Sequence, residues 1–164
     1  MQRRGHRVRT ALGALTLAYG IFSVVSLPFD IRSGMFQDVI SAEGRLAWLV
    51  GLSMPWRVLA YCSDVIQVVG LFAAAIGLLL ARARPLHIGL VALVPSLVVQ
   101  LLFVPGAIAL LSGQASIRLI GSPPARVIRE AALTLGLAWL AMAAVLSLYV
   151  LWLWRELRRL TAEG

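Results

Sequence analysis

The stretch VLAYCSDVIQVVGLFAAAIGLLLA-RARP-LHIGLVALVPSLVVQLLFV, residues 58–104, decides the fold. Its two apolar runs, 58–81 and 86–104, each have about the 20 residues that a helix needs to cross a bilayer. Only helices and closed barrels satisfy their backbone hydrogen bonds in lipid. A barrel strand would alternate apolar and polar residues, whereas these runs are continuous. The stretch therefore predicts two antiparallel transmembrane helices joined by the short basic turn RARP.

Two further apolar runs flank this hairpin, and together they predict a single domain with four spans. The chain has 164 residues, of which 60% are hydrophobic and 13% charged, about half the charged fraction of a soluble domain. We expect an all-α integral membrane bundle of four transmembrane helices. Its predicted spans are about 10–28, 58–81, 86–108 and 130–154.

The connections and ends complete this prediction. Pro28 is expected to end the first span, and residues 28–56 form the longest loop. Phe36, Val39 and Ile40 share a helical face there, which indicates an interfacial helix. Ser122-Pro123-Pro124 is typical of a helix start, and no helix breaker follows before residue 160, so the fourth helix is ~54 Å long.

Arginine placement predicts the orientation in the membrane. If the N-terminal tail is cytoplasmic, nine arginines lie on that side and six on the other, and the nine cluster beside span ends, where they count most. Both termini are therefore predicted to be cytoplasmic, in the cell (cytoplasmic) membrane of a bacterium. The net charge of +8 indicates attraction to anionic membrane lipids and no nucleic-acid partner.

Composition also limits the chemistry. All 15 basic residues are arginine, and without lysine no Schiff base can form. Cys62 is the only cysteine, so an intramolecular disulfide or a Cys-x-x-Cys site is impossible. The sequence predicts no cofactor, no metal site and no catalytic residue, and we do not expect an enzyme.

One set of polar residues inside the predicted spans is a candidate site. Tyr61, Asp64 and Gln67 follow one another at three-residue steps on the second helix and form one polar stripe. Gln100 lies ~7 Å from Pro105 along the third helix and Asp64 ~10 Å from Arg57 along the second, so Asp64 and Gln100 are expected to meet. An intramembrane acid points to a proton- or ligand-binding site, but the structural alternative, an interhelical clamp, is the favoured one.

Small residues four apart indicate close helix packing in membranes. Such pairs predict a compact bundle, and a protein partner or homo-oligomer is expected through these faces. The pairs are Thr16 and Gly20, Ala73 and Gly77, Ala92 and Ser96, and Ala132 and Gly136.

The leading functional hypothesis is a non-enzymatic accessory or assembly subunit of a larger membrane complex. The alternatives are a small oligomeric transporter or channel with Asp64 coupling protons or cations, and a lipid-modifying enzyme that uses Asp64 with loop acids.

Overall fold

The described residues, which are 2–36, 40–50, 54–119 and 124–162 of a computed structural model, are predominantly helical. Each of the four long helices has a segment that is long and apolar enough to cross a membrane. The chain thus has four candidate membrane spans, as its hydropathy predicts, and these indicate a helical membrane protein. Its elements in chain order are α1 (Gln2–Phe36), β1 (Ile40–Glu43), a 3-10 helix (Ala47–Val50), α2 (Met54–Leu80), α3 (Ala83–Leu111), β2 (Ser116–Leu119) and α4 (Ala125–Ala162).

Two helices continue beyond the ends of their predicted spans. Helix α1 continues through Pro28, where its span was expected to end, to Phe36, and α3 continues to Leu111, three residues beyond its predicted end at 108. A proline removes a single backbone donor, and a long helix tolerates that loss where nearby groups satisfy the freed carbonyl. The apolar segment of α1 does end at Pro28. The hydropathy therefore places the span correctly but not the end of the helix.

The predicted interfacial helix is wrong. Phe36 is the last residue of α1, Ile40 is the first of β1, and Val39 lies outside the described residues. Strand β1 pairs with β2 in an antiparallel ladder that runs from Ile40 opposite Leu119 to Glu43 opposite Ser116. The all-α prediction misses this small sheet because its two strands lie far apart in the sequence.

Helices α2 and α3 come into close backbone contact within the first of two compact units, which comprises residues 1–28, 63–96 and 147–164. A Cβ atom added to Gly77 would lie 2.5 Å from the backbone nitrogen of Leu86. One added to Gly89 would lie 2.5 Å from the backbone nitrogen of Ala74. Glycine therefore permits an approach that a larger residue would prevent.

The turn between α2 and α3 is closed by a backbone cap. The Arg82 N–H donates a 2.9 Å hydrogen bond to the Gly77 carbonyl, and Ala81 has a φ of 52°. This is the six-to-one hydrogen bond of a Schellman motif, in which the residue after the helix is left-handed and usually glycine. Ala81 occupies that position at a steric cost.

The second unit, residues 29–62 and 97–146, has its own apolar core. The rings of Trp56, Phe103 and Trp139 pack in series at tilted angles, with successive ring centroids 5.6 Å and 5.3 Å apart. The Gly106 α-carbon passes against the Leu49 carbonyl, so α3 lies directly on the 3-10 helix. The buried core cluster comprises Val50, Ala109, Leu110, Ala115, Ile117 and Ala132.

Candidate intramembrane polar site

The predicted polar stripe lies on a continuous part of α2. Tyr61, Asp64 and Gln67 are all half-buried. Asp64 and Gln67 lie seven and four residues before Leu71, so they share its helix face, and Leu71 is only 3% exposed. Tyr61 and Asp64 each have an interaction partner. Asp64, which lies in a candidate span, is therefore on the packed side of its helix, as is usual for acids inside a membrane.

Gln100 is half-buried on α3. Because α3 ends at Leu111 rather than at Pro105, Gln100 lies ~17 Å from the end of its helix, deeper than the ~7 Å expected. Asp64 lies ten residues into α2, which is ~15 Å along it. The two polar side chains thus have similar depths on their own helices, and their meeting stays a prediction.

A pair of serines joins α2 and α3 beside this stripe. The Ser96 hydroxyl donates a 2.8 Å hydrogen bond to the backbone carbonyl of Ser63, and Ser96 is fully buried. The Ser63 hydroxyl is also buried and makes no hydrogen bond to any described residue. In membranes, such interhelical bonds contribute about 0.6 kcal/mol on average. The Ser96 bond therefore acts as a structural clamp between the two helices.

A second interhelical hydrogen bond was not predicted from the sequence. The hydroxyls of Thr16 on α1 and Tyr149 on α4 lie 2.8 Å apart, and the Thr16 hydroxyl also donates to the Leu12 carbonyl at 2.7 Å. Since that donation uses the only proton of Thr16, the Tyr149 hydroxyl donates to Thr16. The two residues are 133 positions apart in the chain, so no local sequence pattern could have predicted this contact.

A charged cluster lies at the C-terminal end of α4. The Glu156 carboxylate lies 3.8 Å from the Arg9 guanidinium and 3.5 Å from that of Arg159, and the Glu156 side chain is only 10% exposed. The Arg158 guanidinium stacks 3.7 Å above the Trp154 ring. The sequence did contain a signal for this cluster, because Glu156 is an acidic residue within the arginine-rich C-terminal end of α4. A buried acid next to several arginines indicates an ion pair.

The predicted small-residue pairs lie at contacts within the chain. Gly20 packs against Leu71 and Phe72, and Gly77 against Leu86. Gly136 faces the Ala107 carbonyl, and the Ser96 hydroxyl bonds to α2. These faces are therefore occupied by the chain's own helices, and a partner would need a different surface.

The described residues hold few groups suited to metal or nucleophilic chemistry. Within ranges 2–36, 40–50, 54–119 and 124–162, no three His, Cys, Asp or Glu side chains are placed to hold a metal ion. Cys62 is exposed on α2. Among the polar side chains with described partners, three contacts join one helix to another, namely Thr16–Tyr149, Ser96–Ser63 and Arg9–Glu156, and most of the others lie within one helix.

Comparison with protein-family models, with curated proteins and with solved structures finds no match for this chain.

Proposed function

We propose that this protein is a non-enzymatic accessory or assembly subunit of a larger membrane complex, and that it binds a partner helix through the exposed face of α4. The observation that carries the proposal is the composition of that face. Thr134, Ala138 and Ala141 lie on one side of α4 and are all exposed. They follow a spacing of four and three residues, which aligns them along two turns of the helix.

Small residues are expected where one membrane helix meets another. Without a hydrophobic driving force in lipid, helices associate by close van der Waals contact, which small side chains permit. The exposed face of α3 carries large side chains such as Ile88, Val91 and Val98, which are 58%, 56% and 50% exposed. The exposed side of α4 also carries large side chains, of which Leu137, Val145 and Leu148 are 59%, 67% and 67% exposed. Beside them, Ala138 and Ala141 leave space in which a partner helix can approach closely, and this mixture of small and large side chains supports the proposal.

The opposite side of α4 is already occupied. Ala132 is 6% exposed, and Gly136 packs against Ala107 and Leu111 of α3. Helix α4 therefore has two small-residue faces, of which one holds the chain together and the other is exposed. Helix α4 has 38 residues and is therefore ~57 Å long. This is longer than a bilayer core of ~30 Å requires, so α4 can also contact a partner outside the membrane.

Affinity purification from native membranes in mild detergent, followed by mass spectrometry, tests the proposal. The intact protein should retain a stoichiometric partner. Ala141→Leu should remove it, because a larger side chain separates the two helices. Ala18→Leu is the matched control, since Ala18 is exposed on α1 between Leu15 and Phe22, which already project from that helix at 66% and 64% exposure. Purification without any partner would refute the proposal.

A second candidate function is a small oligomeric transporter or channel in which Asp64 couples protons or cations. It is favoured by the position of Asp64 on the packed face of α2, in line with Tyr61 and Gln67. Asp64→Asn should then abolish flux into liposomes while the amount of folded protein is unchanged. Equal flux by the variant would exclude this function.

A further inference from the structure

A cavity of about 400 Å³ lies in the second unit, where α3 ends and α4 begins. Its floor is apolar and buried, and is formed by Leu110, Ala115 and Ala132, which are 3%, 4% and 6% exposed. Its rim includes the exposed residues Ser116 and Arg129. This volume is within the range of small-molecule sites, which combine apolar walls with a few polar groups.

The electrostatics of the rim favour an anion. Among the described residues that line the cavity, none has an acidic side chain. Within the described part of the chain, Arg129 forms no ion pair, whereas Arg126 on the same turn is paired with Glu130 at 2.8 Å. Ala125, the first residue of α4, also lines the cavity, and the N-terminal end of a helix carries a partial positive charge.

Some carbonyls at the C-terminal end of α3 already have hydrogen-bond donors. The Ser112 N–H donates to the Ile108 carbonyl at 2.9 Å and the Ala115 N–H to the Ala109 carbonyl at 3.0 Å. Arg129 and the start of α4 both contribute positive charge at the rim.

We infer that this cavity binds one anionic phospholipid, with its phosphate on Arg129 and part of an acyl chain against Leu110, Ala115 and Ala132. Two features together identify this class of ligand. The cavity has a cationic polar rim above an apolar floor, and it lies where two candidate spans end. A lipid headgroup and the start of its acyl chain meet at that level of a bilayer.

The test is native mass spectrometry of the full chain in detergent, titrated with phosphatidylglycerol or with phosphatidylcholine of the same acyl chains. The net charge of +8 attracts anionic lipid to many arginines, so a matched pair of variants is needed. Arg129→Gln removes the cation at the cavity. Arg126→Gln removes a cation three residues away that does not line it, with the same change in net charge.

We expect the first phosphatidylglycerol to bind more tightly than phosphatidylcholine. Arg129→Gln should weaken that binding about tenfold or more, because a charge-assisted hydrogen bond is lost, whereas Arg126→Gln should change it less than threefold. Ala125→Leu, which narrows the cavity without changing charge, should weaken the binding of both lipids. Circular dichroism confirms that each variant is folded.

Equal effects of Arg129→Gln and Arg126→Gln would overturn the inference, because the lipid would then be held by overall charge. Displacement of the bound lipid by millimolar inorganic phosphate would also overturn it, since a phosphate group alone would then account for the affinity. Equal affinity for the two lipids would show that the site does not select an anionic headgroup, and would likewise overturn it.

Discussion

Replacing Gly77 with alanine should destabilise the protein through the α2–α3 contact. The added Cβ would lie 2.5 Å from the Leu86 backbone nitrogen and 2.8 Å from its α-carbon. The first distance is 0.9 Å shorter than the 3.4 Å at which ordinary contacts begin. Since these are backbone atoms, relief requires the two helices to separate rather than one side chain to rotate.

The magnitude follows from two opposing terms. Overpacking of this kind costs about 1–3 kcal/mol, and the gain in helix propensity from glycine to alanine offsets about 0.5–1 kcal/mol of it. We therefore expect Gly77→Ala to lower the free energy of unfolding by about 1 kcal/mol, within the range of about 0–2.5 kcal/mol that the two terms allow. Reversible unfolding in mixed detergent micelles, followed by circular dichroism, measures this change.

Gly20 provides the matched control for this substitution. An added Cβ there would lie 3.6 Å from its nearest neighbours, Leu71 and Phe72, which is an ordinary contact distance. Gly20→Ala should therefore leave the free energy of unfolding unchanged or raise it by up to ~1 kcal/mol. If both variants behave alike, the close approach of α2 and α3 is not as described, and the reasoning fails.

Three further substitutions in the first unit test its turn and its polar contacts. Ala81→Gly should raise the free energy of unfolding by about 0.5–1 kcal/mol in the same micelle assay, because Ala81 has a φ of 52°, which glycine adopts without strain; a loss of stability would contradict this. Ser96→Ala should lower the free energy of unfolding by about 0.5–1 kcal/mol, because the hydrogen bond to the Ser63 carbonyl is lost. An unchanged free energy would show that this bond contributes nothing. Glu156→Gln should lower the free energy of unfolding by about 1–3 kcal/mol, because Arg9, with its side chain 17% exposed, loses its counter-charge; combining it with Arg9→Gln should restore part of the loss, and simple additivity would exclude the ion pair.

The features that hydropathy controls could be predicted from the sequence. The four apolar runs correspond to four candidate spans, and the turn before Pro85 connects α2 to α3. An unbroken 38-residue α4 also follows from its residues alone, because nothing after Pro124 interrupts the helix. These predictions succeed because crossing lipid requires a long apolar helix whatever its neighbours are.

Features that depend on contacts between distant residues could not be predicted. The sheet pairs Ile40 with Leu119, and local periodicity does not identify such a partner. The alternation in Ser116-Ile-Arg-Leu119 was nevertheless a weak strand signal, with Ile117 buried and Arg118 exposed. Proline was given too much weight as a helix end, since α1 continues past Pro28.

The candidate site shows the same division. The stripe of Tyr61, Asp64 and Gln67 follows from helical spacing alone, and the structure places it on α2 with half-buried side chains. Its pairing with Gln100 depends on how two helices meet, which spacing does not determine. The Arg129 cavity was not predicted, because it forms only where α3, β2 and α4 meet.

The most direct test of a partner on α4 is photo-crosslinking in native membranes. A photoreactive amino acid is placed at Ala141, on the exposed small-residue face, or at Val98, which is 50% exposed on α3. We predict a discrete crosslinked protein from position 141 and crosslinks to lipid alone from position 98. Lipid crosslinks alone from both positions would show that α4 faces the bilayer, and would contradict the proposed role as a subunit.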